Sequence, residues 1–411
     1  MLIFVTIELL IMVANLKELF SDSANNMKSS VIRELLKVSQ QPEIISFAGG
    51  LPAPDLFPVG ILKKMAVEVL ETDSALALQY GPTEGDKRLR EIIVERYRRE
   101  GVATEIKNVI ITTASQQCID IVAKLFLNPG DTVVCELPSY LAALQSFASY
   151  RAEMVGVRRK NDLENVVGKL IAEGRKPKFI YVIPDFQNPA GTTLSLDERK
   201  MVLDVAHRHD VLVVEDSPYR ELRFEGETLP TLYQLDGTGQ VVTLGTFSKI
   251  FVPGFRLGWL LAHEDIITKA VVAKQAMDLC SPVFDQKITA RFFDQHYFEE
   301  NLKKVIAAYR EKRDGMLAAF EKYMPGGVTW TRPQGGLFLF LTLPGALDAK
   351  DLFDLAIKEN VAFVLGEAFH CDGSGKNTLR INFSYMSKEL NEEGVKRLAK
   401  AIRQLMGNTK I

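Results

Sequence analysis

The chain has 411 residues, of which 47% are hydrophobic and 25% are charged, and its formal net charge is −2. This length permits one large domain and a smaller one, each with its own core, and the small net charge argues against a general attraction to nucleic acid or to an anionic membrane. The four cysteines lie far apart, without metal-ligand spacing, and indicate reduced thiols in a cytoplasmic protein.

The first 60 residues are interpreted as an arm. The stretch Met1–Ala14 is almost wholly apolar, but it contains an acidic residue, lacks a basic leader and is too short to span a bilayer. It therefore favours an N-terminal extension, or a translation start at Met12, over a signal peptide. Further along, Ser29 and Ser30 can cap a helical segment over residues 31–39.

Short apolar runs then alternate with helical patterns, which predicts a mainly parallel sheet covered by helices. The runs are rich in Val, Ile and Leu, as expected for strands buried on both faces. The predicted strands are Val109–Thr112, Thr132–Glu136, Phe179–Ile183, Val211–Glu215, Val241–Leu244 and Leu257–Ala262. Helices are predicted between them at Gln116–Phe126, Leu141–Ser149 and Leu196–His209.

The pattern changes after Ala262, where a long helical region runs to about Tyr323. Mixed strands and helices follow, at Gly335–Phe340, Lys350–Glu359, Val361–Leu365 and Leu379–Phe383. This order predicts a compact α+β terminal domain. We therefore expect an arm over residues 1–60 that contributes to the small domain, a large cofactor-binding domain over 61–300 and a C-terminal small domain over 301–411.

Three polar residues follow the ends of neighbouring predicted strands, where open α/β sheets bind their ligands. They are an amide at Asn188, a carboxylate at Asp216 and an amine at Lys249. Such an edge can hold an aldehyde cofactor with a protonated ring nitrogen, because the amine can bond to the aldehyde and the carboxylate can pair with the ring. Taken singly, Asp216 could instead cap a turn and Lys249 could be a solvated surface residue.

A phosphate site is predicted at the same edge. Thr246, Ser248 and Arg256 place two hydroxyls and a guanidinium close together in sequence. Ser115 and Gln116 open a predicted helix, where free backbone N–H groups and the helix dipole favour a phosphate. A serine there is also an ordinary N-cap. Tyr140 follows another strand end and could stack on a cofactor ring or serve only in packing.

Several short motifs occur together in a characteristic order. They are Phe47–Pro52, Gln79–Pro82, Ser115–Gln117, Asp185–Pro189, Glu215–Tyr219, Ser248–Lys249 and Leu379–Phe383. In this combination the chain, from about Ser29 to its C-terminal helix, resembles the class I/II aminotransferases of PLP fold type I. It is most similar to the branch that contains 2-aminoadipate, kynurenine and archaeal aromatic aminotransferases. The resemblance implies an aspartate aminotransferase-like α/β fold, with a large, mainly parallel sheet domain and a smaller α+β domain.

The cofactor implied by this resemblance is pyridoxal 5′-phosphate. Lys249 would bond to its aldehyde, Asp216 would pair with its ring nitrogen, Asn188 and Tyr219 would donate to its phenolic oxygen, and Tyr140 would stack on its ring.

The phosphate and the subunit arrangement also follow from the resemblance. The phosphate would be held by Ser115, Gln116, Thr246, Ser248 and Arg256. Tyr80 resembles a tyrosine that reaches the phosphate of the neighbouring subunit, which implies a homodimer with shared active sites.

The resemblance also assigns the substrate contacts. Arg380 would bind the substrate α-carboxylate with help from Asn188, because a planar guanidinium captures a carboxylate through two hydrogen bonds. The backbone of Gly50 would approach the substrate. Arg33 would bind an acidic substrate side chain, although it could equally be a solvated arginine. Arg380 could likewise form a structural salt bridge.

The predicted function is transfer of the amino group of an L-amino acid to a 2-oxo acid. The donor would be 2-aminoadipate, an aromatic or a branched-chain amino acid, the acceptor 2-oxoglutarate, and the kinetics ping-pong. Two alternatives remain open from the sequence. One is a carbon–sulfur β-lyase on the same scaffold, and the other is the ligand-sensing domain of an aminotransferase-like regulator, which the missing winged-helix pattern disfavours.

Overall fold

The computed structural model describes residues 16–27, 41, 43–345 and 347–408. Arg33, the predicted helical segment over residues 31–39 and the apolar stretch Met1–Ala14 lie outside these residues.

The strands are numbered along the chain. They are β1 (Ile45–Ser46), β2 (Val109–Thr113), β3 (Thr132–Glu136), β4 (Glu153–Val157), β5 (Phe179–Val182), β6 (Leu212–Asp216), β7 (Val241–Thr246), β8 (Leu257–Leu261), β9 (Thr329–Trp330), β10 (Phe338–Thr342), β11 (Val361–Ala362), β12 (Val364–Leu365) and β13 (Thr378–Asn382).

The α-helices are numbered in the same way. They are α1 (Asp22–Asn26), α2 (Val59–Thr72), α3 (Ser74–Ala77), α4 (Lys87–Arg99), α5 (Ala114–Phe126), α6 (Leu141–Ser149), α7 (Leu163–Ala172), α8 (Leu196–His209), α9 (Leu232–Leu235), α10 (Glu264–Met277), α11 (Val283–Asp294), α12 (Tyr297–Tyr323), α13 (Ala349–Lys358) and α14 (Lys388–Asn408). Short 3₁₀ turns occur at Leu16–Leu19, Pro54–Leu56, Ile106–Asn108, Lys160–Asp162, Pro253–Phe255 and Gly366–Phe369. No helix in the described part of the chain is long and apolar enough to cross a membrane.

The main sheet has seven strands in the order β2-β8-β7-β6-β5-β3-β4. Pairing is parallel from β7 through β6, β5 and β3 to β4, whereas β8 runs antiparallel to both β2 and β7. The predicted α/β class and mainly parallel sheet are confirmed. The predicted strands and helices of this region lie within two residues of the observed ones, because their apolar side chains are buried on both faces of the sheet.

Strand β4 was not predicted from the sequence. It lies at the edge of the sheet, and its side chains are mostly half-exposed or exposed. An edge strand of this kind lacks the continuous apolar run that marks the central strands.

A second group of strands covers one end of the main sheet. Strands β12, β13, β10 and β9 form an antiparallel sheet, and β1 from the arm pairs in parallel with β11. The strand predicted over Val361–Leu365 is therefore divided between two sheets. The strand predicted from Gly335 begins three residues later, because Gly336 has a positive φ of 73° and both glycines pack against Phe186.

Helix α12 runs without a break through the predicted boundary between residues 300 and 301. The division of the chain into an arm and two domains stays a prediction.

Candidate active site

A cavity of about 210 Å³ lies where the carboxyl ends of the central parallel strands face the second group of strands. Both groups contribute residues to its wall, and so does the arm. The lining residues are Gly50, Ser115, Tyr140, Ile183, Asn188, Asp216, Pro218, Tyr219, Lys249, Phe338 and Arg380. Residues that lie up to 330 positions apart in sequence therefore meet at the sheet edge where open α/β sheets bind ligands.

Lys249 follows β7 and extends into this cavity. Its Nζ donates a hydrogen bond of 2.8 Å to the carbonyl oxygen of Gly50. Burial, together with the positive charges of Arg380 and Arg256, lowers the pKa of Lys249 to about 8. The amine is therefore far easier to deprotonate near neutral pH than an ordinary lysine, as a proton-transfer base requires.

Asp216 is the last residue of β6 and is almost fully buried. The hydroxyl of Tyr181 donates a hydrogen bond of 2.6 Å to its Oδ2, whereas its Oδ1 has no hydrogen-bond partner among the described residues. Burial raises the pKa of Asp216 to about 7, and the bond from Tyr181 opposes that rise. A cationic donor at Oδ1 would satisfy the free oxygen and stabilise the ionised carboxylate.

Tyr181 was missed at the level of the sequence. Its only signal was a tyrosine within the otherwise apolar strand Phe179–Val182, and a buried tyrosine hydroxyl generally finds a hydrogen-bond partner.

Arg380 lies on β13, with its guanidinium buried in the cavity wall. Its Nη1 donates to Asn188 Oδ1 at 2.9 Å, its Nη2 donates to the carbonyl oxygen of Ala48 at 2.7 Å, and its Nε has no partner among the described residues. Burial lowers the pKa of Arg380 to about 10, and no carboxylate of the described chain offsets this effect. The structure therefore disfavours the alternative that Arg380 forms a structural salt bridge.

Two aromatic rings fix the position of this guanidinium. Its central carbon lies 4.3 Å from the ring centroid of Phe338 and 5.1 Å from that of Phe369. Cation–π contacts of this kind stabilise a buried guanidinium and restrict its orientation. Neither phenylalanine was predicted, because an aromatic residue next to a buried strand usually indicates packing alone.

Asn188 and Tyr219 lie side by side, and the amide nitrogen of Asn188 is 3.5 Å from the hydroxyl oxygen of Tyr219. Burial raises the pKa of Tyr219 above its ordinary value, so the phenol remains a proton donor. Both groups line the cavity beside Lys249, where they can donate to an oxygen of a bound ring.

The predicted phosphate ligands form two groups at or beside the lining of the cavity. Thr246 donates to Ser248 at 3.0 Å, and Arg256 donates to the same hydroxyl at 3.4 Å. Ser115 lies at the N-terminal end of α5 and lines the cavity, and the side chain of Gln116 lies 3.5 Å from the hydroxyl of Tyr140. Two hydroxyls, a guanidinium and a helix N-terminus together provide the donors that a phosphate requires.

Tyr80 is not among the residues that line the cavity. Its side chain is 78% exposed. The carbonyl oxygen of Gly50, in contrast, faces the cavity and accepts the bond from Lys249. A Cβ atom at position 50 would lie 3.1 Å from the ring of Phe338, so this wall has little room for a side chain.

Comparison with known proteins identifies the family. The family model described as aminotransferase class I and II matches residues 50–398, a range that includes all the cavity residues. The chain is a class I/II aminotransferase.

Several relatives share most of its length. An aromatic-amino-acid aminotransferase from Thermococcus litoralis is 44% identical over 394 residues, which is 94% of each chain. A crystal structure of a kynurenine aminotransferase from Pyrococcus horikoshii, in complex with PMP, is 43% identical with a TM-score of 0.92 and covers 96% of this chain and 99% of its own. A structure of LysN, an α-aminoadipate aminotransferase from Thermus thermophilus, was solved with N-(5′-phosphopyridoxyl)-L-leucine. It is 39% identical with a TM-score of 0.89 and covers 96% and 99% of the two chains.

The cofactor of this family is pyridoxal 5′-phosphate, and the residues of the cavity fit it. The free Oδ1 of Asp216 can accept from the ring nitrogen, and the amine of Lys249 can bond to the aldehyde. The hydroxyls of Thr246 and Ser248 can hold the phosphate together with the guanidinium of Arg256. When bound, this cofactor supplies an aldehyde that bonds to amines and a protonated ring that accepts the electrons released at the substrate α-carbon.

Proposed function

We propose that this aminotransferase moves the amino group of an L-amino acid to 2-oxoglutarate by a ping-pong mechanism. The observation that carries the proposal is the buried guanidinium of Arg380, which has no carboxylate partner in the described chain and lines the same cavity as Lys249 and Asp216. Amino acids and 2-oxo acids share one group that satisfies such a guanidinium, a carboxylate next to the reacting carbon.

Arg380 is proposed to hold that carboxylate in both half-reactions. The side-chain oxygen of Asn188 and the carbonyl of Ala48 restrain two of its nitrogens, so the guanidinium is already oriented before a substrate arrives. A carboxylate bound there would place the neighbouring α-carbon within the cavity that Lys249 lines.

Lys249 is proposed to move the proton to and from the substrate α-carbon. Its lowered pKa makes the neutral amine accessible, and the carbonyl of Gly50 gives the amine a defined position when it is not engaged elsewhere. Asp216 would keep the ring nitrogen protonated. The bond from Tyr181 would orient its carboxylate for that role.

The donor is proposed to be an aromatic amino acid, 2-aminoadipate or a branched-chain amino acid. The names of the relatives support the first two classes. Arg33 is proposed to bind the distal carboxylate when the side chain is acidic.

The enzyme is also proposed to act as a homodimer in the cytoplasm. Tyr80 lies on an exposed apolar surface with Leu76 and Leu78, which are 64% and 72% exposed. Exposed apolar surface of this kind is typical of a protein interface. The nearby Gly81 packs closely against Val283 at the start of α11, so the loop is held against the body of the subunit. From this position Tyr80 would reach the phosphate site of a second copy.

The test separates the two half-reactions. Purified holoenzyme is mixed with one candidate donor and no acceptor, and the 2-oxo acid formed is counted per active site. The proposal predicts one equivalent, followed by continuous turnover when 2-oxoglutarate is added, with parallel lines in double-reciprocal plots. Repeated release of pyruvate and ammonia from an S-substituted cysteine without any acceptor would instead establish a carbon–sulfur β-lyase.

A further inference from the structure

Cys135 and Cys371 lie against each other outside the catalytic cavity. Cys135 is buried on β3 of the main sheet, whereas Cys371 is partly exposed and follows the 3₁₀ turn Gly366–Phe369 of the second region. The Cys135 side chain hydrogen-bonds the Cys371 sulfur, so the two thiols are close enough to react with each other. Because 236 positions separate this pair in the chain, spacing alone predicted four isolated cysteines.

A glycine opens the space in which the two sulfurs meet. Strand β4 pairs in parallel with β3, and Gly156 lies opposite Cys135. A Cβ atom at position 156 would lie 3.1 Å from the sulfur of Cys371. Neighbouring strands are about 4.8 Å apart, so the missing side chain allows the sulfur of Cys371 to lie on the sheet beside Cys135.

A backbone hydrogen bond before Cys371 and a side-chain bond after it hold this segment in place. Ser139, four residues after Cys135, donates its N–H to the carbonyl oxygen of Phe369 at 2.8 Å. Beyond Cys371, Asp372 accepts from Arg158 at 3.1 Å. The two cysteines therefore keep their relative position through contacts that do not involve sulfur.

The two thiols differ in reactivity. The hydrogen bond from Cys135 stabilises a thiolate on Cys371 and lowers its pKa, and Cys371 is the more exposed of the two. A partly exposed thiol with a lowered pKa reacts first with oxidants, and a buried neighbour is then positioned to resolve the product.

We propose that Cys135 and Cys371 form a reversible oxidation site that closes to an intramolecular disulfide when the protein meets a small-molecule disulfide. The Cys371 thiolate attacks one sulfur of the oxidant, which forms a mixed disulfide and releases one small thiol. The thiolate of Cys135 then attacks the Cys371 sulfur and releases the second small thiol. The oxidant gains two electrons and two protons, and the two cysteines lose them.

The Cys135–Cys371 disulfide would connect two segments that contribute to the active site. Cys135 precedes Tyr140 by five residues, and Cys371 follows Phe369, whose ring packs on Arg380. The disulfide would therefore join the segment that carries Tyr140 to the segment that positions Arg380. On the proposed function, we expect oxidation to change the KM for the donor, because Arg380 binds its carboxylate.

The test uses folded holoenzyme and oxidised glutathione. Free thiols are counted over time, and peptides are mapped without reduction. We expect loss of two thiols, a linked peptide pair containing Cys135 and Cys371, and full recovery with dithiothreitol. The Cys280→Ala variant is the matched control, since Cys280 is also partly exposed, and it should form the same linked pair.

The Cys135→Ala variant tests the order of the steps. Without the resolving thiol, Cys371 should retain one bound glutathione, whereas the wild type should retain none. A stable glutathione adduct on Cys371 of the wild type, with Cys135 still free, would overturn the proposal. So would a wild-type protein whose Cys371 stays reduced while Cys280 reacts. Both results are read from the thiols themselves and do not depend on transaminase activity.

Discussion

Asp216 and Arg380 are buried charged residues, and each has one polar atom without a hydrogen-bond partner among the described residues. This atom is Oδ1 in Asp216 and Nε in Arg380. Leaving such groups unsatisfied in a protein interior typically costs about 1–3 kcal/mol each, and more when they are charged. The protein itself therefore carries the electrostatic arrangement that a ring nitrogen and a substrate carboxylate would complete. A site of this kind favours ligand binding at the expense of the stability of the unliganded chain.

Tyr181 gives the first prediction for a single residue. Its hydrogen bond favours the ionised form of Asp216 and so keeps the pKa lower than burial alone would set it. In Tyr181→Phe this pKa rises above about 7, so a smaller fraction of the carboxylate is ionised at any pH below it. For a rise of about one unit, the ionised fraction at pH 7 falls from about one half to about one tenth, so we expect kcat/KM at pH 7 to fall by about fivefold. The acid limb of the pH profile should move to higher pH.

Tyr150→Phe is the control for this change, because Tyr150 lies at the end of α6 and does not line the cavity. An acid limb that stays in place in Tyr181→Phe would show that the bond does not tune Asp216.

Three of the residues that the sequence predicted share one property. Asn188, Asp216 and Lys249 each follow the carboxyl end of a recognisable strand, so their meeting point could be inferred from topology alone. Tyr181 and Phe369 act through contacts that only the folded chain creates, and locally they resemble packing residues. This is why the sequence identified the groups that face the ligands and missed those that hold these groups in place.

Among the secondary-structure elements, the loop between β5 and α8 carries Asn188. A buried ion pair fixes this loop to α8. Arg199 on α8 donates to Asp185 at 2.7 Å and to the carbonyl oxygens of Leu194, Pro184 and Pro230. Both charged side chains are fully buried. The sequence predicted helix α8 correctly but gave no sign of this pair, because Arg199 lies within an ordinary amphipathic pattern.

The Arg199→Met variant should lose about 3–5 kcal/mol of unfolding free energy, because Arg223 is then the one cation of the described residues that still pairs with the buried carboxylate of Asp185. Urea denaturation monitored by circular dichroism measures the change. In the matched control, Lys304→Met breaks the exposed pair with Glu300 and should leave stability almost unchanged, because water and salt screen an exposed pair. Equal losses in the two variants would refute a structural role for the buried pair.

For the molecule as a whole, the described part of one chain does not bring every predicted site residue to the cavity. Most of the predicted ligands line one cavity or are joined to its lining residues, whereas Tyr80 is exposed and Arg33 lies outside the described residues. Sequence patterns predict elements within a chain, but contacts between copies leave only a weak signal, such as a run of exposed apolar residues. The proposal of a homodimer is therefore based on the exposed surface around Tyr80.

Mixed dimers test the shared site. Tyr80→Phe should weaken cofactor binding by about 10- to 100-fold, the value of a hydrogen bond to a charged group, and Lys249→Ala should remove turnover. If Tyr80 serves the partner's site, a dimer with one chain of each variant contains one intact site. When the two variants are mixed, unfolded and refolded together, their chains can form mixed dimers. We expect this mixture to be more active at a limiting cofactor concentration than either variant alone. Activity no higher than that of Tyr80→Phe alone would place Tyr80 outside the partner's site.

The proton transfer assigned to Lys249 can be measured as exchange of the donor α-proton with solvent, followed by NMR in D₂O with no acceptor present. Wild-type holoenzyme should incorporate deuterium at the α-carbon, and the exposed-residue control Lys269→Ala should match it. Lys249→Ala should bind the cofactor and remain folded while exchange slows by about 10³-fold, because the proton-transfer base is gone. Exchange at the wild-type rate in Lys249→Ala would contradict the assignment of Lys249 as that base.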